Sequence, residues 1–137
     1  GNEVILEIGT GSGYQTSILS LLSRRVYSIE RIKPLLVNAQ SCFKKLKLTN
    51  IISEFGDGFL GWPKLAPFDH MIITCAVKKI DNRLLNQIRV NGSCVVPIGK
   101  TKSQQRLKKI IIGNDRNEDV WEDLGKVSFV PLISEKD

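Results

Sequence analysis

Three glycines at alternate positions, Gly9, Gly11 and Gly13, lie between the apolar segment Val4–Ile8 and a segment with helical periodicity. Glycine lets a ligand approach the main chain because it carries no Cβ, and the first N–H groups of a helix are free to donate to that ligand. A strand, a glycine turn and a helix in this order therefore predict a ligand site built largely from backbone.

Two acidic residues stand where the next predicted strands end. Glu30 can accept hydrogen bonds from both hydroxyls of a ribose, and Asp57 can accept from an adenine amino group while Gly58 leaves room for the base. Each has a plainer explanation, since Glu30 could pair with Arg31 or Lys33 and Asp-Gly is a common turn. Because all these features fall at one end of the predicted sheet, an adenosine site is favoured.

The elements that must position these residues alternate between strand and helix. Strands are predicted over residues 4–8, 25–30, 51–55, 69–76 and 93–98, and an antiparallel pair over 107–112 and 120–130. Helices are predicted over 13–22, 32–47 and 81–88, with Asn91-Gly92 as the turn that ends the third helix. This order predicts one α/β domain over residues 1–137: a Rossmann-like, mostly parallel sheet with helices on both faces and a C-terminal antiparallel hairpin. In such sheets ligands bind at the carboxyl ends of the strands, where Thr74 also falls.

Composition argues against several other classes of function. The net charge of +6 could suit nucleic acid, but the lysines are scattered and the densest cluster, 100–109, lacks interleaved aromatic residues. Three cysteines and one histidine without CxxC or HxxxH spacing predict free thiols and no metal site. With neither a long apolar run nor a signal peptide, we expect a cytoplasmic protein that binds neither nucleic acid nor a membrane. The chain also begins without Met, which suggests a fragment.

The glycine spacing distinguishes between two classes of ligand. A dinucleotide fingerprint reads Gly-x-Gly-x-x-Gly, whereas here the third glycine comes one residue earlier and Glu7 stands just before the turn. This is the pattern of S-adenosylmethionine-dependent methyltransferases with a Rossmann-like fold. An NAD(P)-dependent oxidoreductase is therefore disfavoured. A methyltransferase that modifies nucleotides is disfavoured too, because residues 74–77 lack the Asn/Asp-Pro-Pro-Tyr/Phe motif.

The order and spacing of five segments resemble one methyltransferase family. EIGTGSGYQTSILS, VYSIERI, GDGFLGWPKLAPFDHMIITCA, VVPIG and VSFVPL are similar to segments of protein-L-isoaspartate O-methyltransferases. The resemblance implies transfer of the methyl group of S-adenosylmethionine to the α-carboxylate of L-isoaspartyl residues in damaged proteins. The glycines would line the methionine and ribose part of the cofactor, Glu30 the ribose, and Asp57 and Gly58 the adenine. The full set of expected cofactor-binding residues is Glu7, Gly9, Thr10, Gly11, Ser12, Gly13, Glu30, Arg31, Asp57, Gly58 and Thr74.

Methyl transfer to a carboxylate does not need a strong general base, because the nucleophile is already ionised at neutral pH. The absence of an Asp–His or Cys–His constellation is therefore compatible with an enzyme, and we interpret His70 and Cys75 as structural. The family carries a serine or threonine in a Ser-Ala-Pro-His-like motif before the glycine turn, and nothing in this chain matches it. The catalytic residues stay unassigned. The alternative is a truncated or degenerate module that binds S-adenosylmethionine without catalysis.

Overall fold

The computed structural model describes residues 1–132, so residues 133–137 of the predicted domain lie outside the described part. Seven strands and three helices follow each other in the order β1 Val4–Ile8, α1 Tyr14–Leu22, β2 Arg25–Glu30, α2 Lys33–Lys45, β3 Ile51–Phe55, β4 Phe68–Ile73, α3 Asn82–Leu85, β5 Ile88–Ile98, β6 Arg106–Ile111 and β7 Val120–Lys126. Two 3₁₀ turns, Gly58–Leu60 and Pro63–Leu65, connect β3 to β4.

One sheet contains all seven strands in the order β3-β2-β1-β4-β5-β6-β7. Strands β1 to β5 pair in parallel, and β6 and β7 are antiparallel to their neighbours. The chain moves outward from β1 to β3 and then returns to β4 on the other side of β1, so the strand order reverses between β1 and β4. The predicted Rossmann-like fold with its C-terminal hairpin is confirmed, and ligands bind at such a reversal point.

The two faces of the sheet are covered by different helices. Leu6, Met71, Cys94 and Ile110 lie in register on four strands, are fully buried, and form one core with residues of α3. Glu7 follows Leu6 and points to the opposite face, where it contacts α1. Glu7, Ser28 and Ser53 lie in register on three neighbouring strands and therefore share a face. Gln40 of α2 donates to Ser53, which shows that α2 lies on this face too. The predicted layers on both faces are therefore present.

The third helix and the strand after it differ from the prediction. Helix α3 is a single turn, and Asn91-Gly92 lies inside the eleven-residue strand β5 rather than ending a helix. The N–H of Asn91 donates to Ile112 O at 2.7 Å, and the N–H of Ile112 donates to Gly92 O at 2.9 Å. A Cβ on Gly92 would come within 2.2 Å of the backbone oxygen of Asp69, so neighbouring strands require glycine here. The prediction that Asn91-Gly92 forms a helix-ending turn is therefore wrong: close packing against neighbouring strands explains why glycine stands here.

The remaining differences are at element ends. Helix α2 is shorter than 32–47, β4 covers 68–73 instead of 69–76, and β6 begins one residue before the predicted 107–112. The predicted strand 120–130 ends at Lys126, after Gly125 adopts a φ of 111°. Beyond it the chain returns to the centre of the sheet, where Pro131 bridges to Ala76. This return brings residues 130–132 to the site.

Candidate functional site

The glycine turn between β1 and α1 needs glycine at each of its three positions. Gly9, Gly11 and Gly13 have φ angles of 100°, 56° and 85°, which side chains other than glycine rarely adopt. A Cβ on Gly9 would lie 2.2 Å from Thr74 Oγ1, and one on Gly13 would lie 2.8 Å from Phe43 Cε1. Packing therefore holds the turn close to β4 and α2, with its backbone facing the carboxyl ends of the strands.

The carboxylate of Glu30 closes the turn from the end of β2. Its Oε1 accepts from the N–H of Gly11 at 2.8 Å and its Oε2 accepts from the N–H of Ile32 at 2.9 Å. Glu30 makes no salt bridge with Arg31 or Lys33, although the structure describes all three residues. The ion-pair explanation of Glu30 is therefore wrong, and the carboxylate keeps free lone pairs for a ligand.

Thr74, directly after β4, holds the other side of the turn. Its hydroxyl lies 2.9 Å from Ile8 O and 2.8 Å from Gly9 O, and its single proton can be given to either. Cys75 follows, half-buried, and burial raises the pKa of its thiol. The thiol is therefore a weak nucleophile, in keeping with the structural role expected from the sequence.

These elements surround a cavity of about 400 Å³. Six of the predicted residues line it: Gly9, Gly11, Glu30, Arg31, Gly58 and Thr74. Sequence reasoning missed further lining residues, namely Ile8, Ile29, Ile32, Leu35, Cys75, Val130, Pro131 and Leu132. The segment VSFVPL was part of the resemblance, so residues 130–132 carried a signal, but nothing local in that segment places it beside β1.

Asp57 and Gly58 follow β3, and of the two only Gly58 lines this cavity. One oxygen of Asp57, Oδ1, accepts from the N–H of Phe59 at 3.0 Å and caps the first 3₁₀ turn. Asp57 lines a second cavity, of about 810 Å³, on the face of the sheet that carries α3. A Cβ on Gly58 would come 2.2 Å from Ile8 Cγ2, so this glycine permits the close approach of its loop to β1.

The other predicted residues lie in or behind the turn and do not line the first cavity. Glu7 and Thr10 are buried, and burial raises the pKa of the Glu7 carboxyl. Ser12 Oγ accepts from the N–H of Tyr14 at 3.4 Å, and Gly13 is the N-cap of α1. The structure thus separates residues that face the cavity from residues that support the turn.

Within residues 1–132, no group of three His, Cys, Asp or Glu side chains could hold a metal ion. None of the helices found there is long and apolar enough to cross a bilayer. His70 Nδ1 lies 2.9 Å from Ser93 Oγ on the neighbouring strand, which fits the structural role expected for it.

Comparison with known proteins supports the resemblance. The family model for protein-L-isoaspartate(D-aspartate) O-methyltransferase matches residues 2–137. The chain is 43% identical over 131 residues to protein-L-isoaspartate O-methyltransferase 1 of Nitrosococcus oceani, covering 96% of this chain and 61% of that protein. It is 48% identical over 130 residues to protein-L-isoaspartate O-methyltransferase of Aliivibrio salmonicida, covering 95% and 61%.

Two solved structures share the fold. A protein-L-isoaspartate O-methyltransferase superimposes with a TM-score of 0.86 at 24% identity, over 95% of this chain and 42% of that one. The corresponding Plasmodium falciparum structure, described as putative and in complex with S-adenosyl-L-homocysteine, superimposes with a TM-score of 0.80 at 22% identity, over 96% and 66%. The chain spans 58% to 61% of the length of the first curated relatives. By the family model and these relatives, the chain belongs to the protein-L-isoaspartate(D-aspartate) O-methyltransferase family.

Proposed function

We propose that this chain is the cofactor-binding core of a methyltransferase that transfers the methyl group of S-adenosylmethionine to the carboxylate of L-isoaspartyl residues in damaged proteins. The observation that carries this proposal is the cavity of about 400 Å³ between the glycine turn, Glu30 and Thr74. Gly11 lines the cavity and bonds Glu30, and no atom lies within 4 Å of where its Cβ would stand, so the turn offers a cradle of bare backbone beside a carboxylate. This cradle fits an adenosyl group.

The residues that would hold the cofactor follow from their positions. Glu30 would accept from the ribose hydroxyls with lone pairs that Gly11 and Ile32 do not use. Gly9 and Gly11 would lie against the ribose and methionine part, and Gly58, with Asp57 behind it, against the adenine. Bound S-adenosylmethionine supplies a methyl group on a sulfonium, which is an electrophile for an in-line displacement.

The contribution of the chain to the reaction would be positioning and exclusion of water. The substrate carboxylate is ionised at neutral pH, so no residue needs to remove a proton from it. Val130 and Leu132 give the cavity an apolar wall. Such a wall strips water from the carboxylate and raises its reactivity towards the methyl group.

Two features support the compartment and the partner that we propose for this protein. The cysteines Cys42, Cys75 and Cys94 are all free thiols, as in proteins of the reducing cytoplasm, where we place this protein. The partner would be an isoaspartyl peptide segment rather than nucleic acid, since the Lys100–Lys109 region carries no aromatic residue for base stacking.

A second candidate function is a binding module that holds the cofactor without catalysis. It is favoured by one observation: the residues that line the cavity are assigned to the cofactor, and none of residues 1–132 is assigned to binding the isoaspartyl substrate. Calorimetric titration with S-adenosylhomocysteine, combined with a turnover assay, separates the two candidates. Binding without turnover supports the module, and turnover by the chain eliminates it.

The main test is a methyl-transfer assay with radiolabelled S-adenosylmethionine. An isoaspartyl peptide should acquire a base-labile methyl ester, while the same peptide with ordinary aspartate should not. Equal labelling of both peptides would contradict the proposed substrate. Absence of the ester on both peptides would contradict the proposed reaction.

A further inference from the structure

Glu7 is a carboxylate without direct access to either cavity. It is fully buried at the end of β1, on the face of the sheet that carries α1, and it precedes the glycine turn. A charged side chain in such a position is costly unless hydrogen bonds satisfy it. The hydrogen bonds of Glu7 therefore indicate its role in the site.

Three side chains donate to the Glu7 carboxylate. Oε1 accepts from the hydroxyl of Thr16 and, at 2.6 Å, from that of Ser28; Oε2 accepts from Gln15 Nε2 at 3.0 Å. Gln15 and Thr16 belong to the first turn of α1, and Ser28 belongs to β2. The carboxylate thus joins the three elements that surround the glycine turn.

A fourth side chain extends this network into the turn itself. The hydroxyl oxygens of Thr10 and Ser28 are 2.6 Å apart. Ser28 has one hydroxyl proton and gives it to Glu7, so Thr10 must be the donor in its bond with Ser28. The acceptor at Glu7 therefore sets the direction of both bonds and fixes the Thr10 side chain towards the sheet.

Thr10 in turn controls the backbone that lines the cavity. Its carbonyl oxygen accepts from the N–H of Gly13 at 3.0 Å, and the next residue, Gly11, donates its N–H to Glu30. The backbone dihedral angles of the glycines are weakly restricted, because glycine lacks a Cβ. The hydrogen bond between Thr10 and Ser28 on the sheet side and that between Gly11 and Glu30 on the cavity side together restrict the turn to one conformation.

We infer that Glu7 is a positioning residue for the cofactor turn: it does not touch the ligand, but it preorganises the turn through Ser28 and Thr10. This inference rests on the proposed function for the identity of the ligand. A preorganised site binds more tightly because the ordering cost is met before binding. Loss of the network should therefore loosen the turn in the ligand-free protein and weaken binding in the same variants.

The first test compares Ser28→Ala with Ser53→Ala in the full chain. Ser53 is the control, because it pairs in register with Ser28 on the next strand and also bonds a helix side chain, Gln40, away from the turn. Ser28→Ala should weaken the affinity for S-adenosylhomocysteine about tenfold, as expected for a lost buried hydrogen bond. It should also speed amide exchange at Gly11 and Gly13, and Ser53→Ala should change neither quantity.

The second test asks whether Glu7 acts through its hydrogen bonds or through its charge. In Glu7→Gln the carbonyl oxygen can still accept from Thr16 and Ser28, and the new amide can donate to Gln15 once that side chain rotates by half a turn. We expect binding within about threefold of the wild type for this variant and a loss of about tenfold or more for Glu7→Ala. Equal losses in both variants would mean that the charge acts on the ligand, which overturns the inference.

The readouts separate this inference from the proposed function. If the wild-type chain does not bind S-adenosylhomocysteine, the proposed function fails, while amide exchange in the ligand-free variants still tests the network. If the wild-type chain binds and Ser28→Ala behaves like Ser53→Ala in both binding and exchange, the inference fails and the proposed function stands. Should Glu7→Ala not fold, Ser28→Ala and Glu7→Gln decide the question.

Discussion

Glu30 is the side chain on which the proposed adenosine site depends most directly. Its carboxylate already organises the turn by accepting from Gly11 and Ile32, and the same group would bind the ribose. Hydrogen bonds to a charged group contribute about 1.5–3 kcal/mol each. We therefore expect Glu30→Ala to weaken binding of S-adenosylhomocysteine by about a hundredfold, measured by calorimetry.

The matched control for this variant is Glu54→Ala. Glu54 is also a glutamate near the carboxyl end of a strand, but it lines the second cavity and not the first. The Glu54→Ala variant should bind S-adenosylhomocysteine with the affinity of the wild type. If the two variants were equally weakened, the ligand would occupy a different place from the one proposed.

The glycines of the turn are required for different reasons, which stability measurements can separate. In Gly9→Ala the new Cβ would meet Thr74 Oγ1 at 2.2 Å, at a φ of 100°. In Gly11→Ala nothing lies within 4 Å of the Cβ, and only the φ of 56° is unfavourable. Urea denaturation should show a loss of about 1–2 kcal/mol for Gly11→Ala and clearly more for Gly9→Ala. Equal losses would mean that the contact with Thr74 relaxes without cost.

The three thiols differ in burial and so provide an internal comparison of accessibility. Cys42 is exposed, Cys75 lines the cavity, and burial raises the pKa of Cys94 to about 12. Because the thiolate is the reactive form, N-ethylmaleimide at pH 7.5 should label Cys42 first, Cys75 slowly and Cys94 only after unfolding. A raised pKa keeps a thiol protonated until the pH approaches it, so labelling of Cys75 should accelerate as the pH rises.

Ligand protection then tests where the cofactor lies. S-adenosylhomocysteine should slow the labelling of Cys75 and leave that of Cys42 unchanged, as followed by mass spectrometry of peptides. Protection of neither thiol at a saturating ligand concentration would place the ligand away from the end of β4.

At the scale of the elements, the segment after β7 is the part of the site held least by regular structure. Gln105, just before β6, is buried and bonds Phe129 twice, donating from Nε2 to its carbonyl at 3.0 Å and accepting its N–H at Oε1. Beyond Phe129, Ala76 bonds Val130 and Leu132 at 2.8 Å each. Gln105 thus acts as a clamp on the segment that forms the apolar wall of the cavity.

We expect Gln105→Ala to release this wall without unfolding the sheet. Amide exchange at Phe129 and Leu132 should accelerate, and affinity for S-adenosylhomocysteine should fall by about threefold to tenfold. Gln104→Ala is the control, because Gln104 is exposed and adjacent in sequence. If exchange at Phe129 did not change, the clamp would not be what holds the segment.

The elements show why sequence reasoning succeeded in some places and failed in others. The bounds of β1, β2 and β3 match the prediction because these strands are short segments rich in β-branched and aromatic residues, each followed directly by a glycine or a charged residue. Asn91-Gly92 was misinterpreted because its local pattern is that of a turn, whereas contacts with Asp69 of β4 and with Ile112, which directly follows β6, decide its conformation. Tertiary packing outweighs a local preference wherever a strand is central in a sheet.

At the scale of the whole molecule, the cavity is assembled from segments far apart in the chain. The residues on the turn, Glu30 and Thr74 were predictable, because parallel strands bring their carboxyl ends to one edge. Leu132 was not, since its place depends on the path of the chain after β7. The supporting role of Glu7 was not predictable either, because the sequence shows an acidic residue near the turn but not which way it points.

This assembly predicts that the ligand stabilises the fold as a whole. A ligand that binds only the folded state, at a hundred times its Kd, adds about 2.7 kcal/mol to the free energy of unfolding. For a chain of this length we expect S-adenosylhomocysteine to raise the Tm on the order of 10 °C. NADH, which shares the adenosine but requires the dinucleotide glycine spacing, should leave the Tm unchanged. A larger shift with NADH than with S-adenosylhomocysteine would contradict the assignment of the turn to a methyltransferase, because the position of the third glycine would then have no bearing on the ligand.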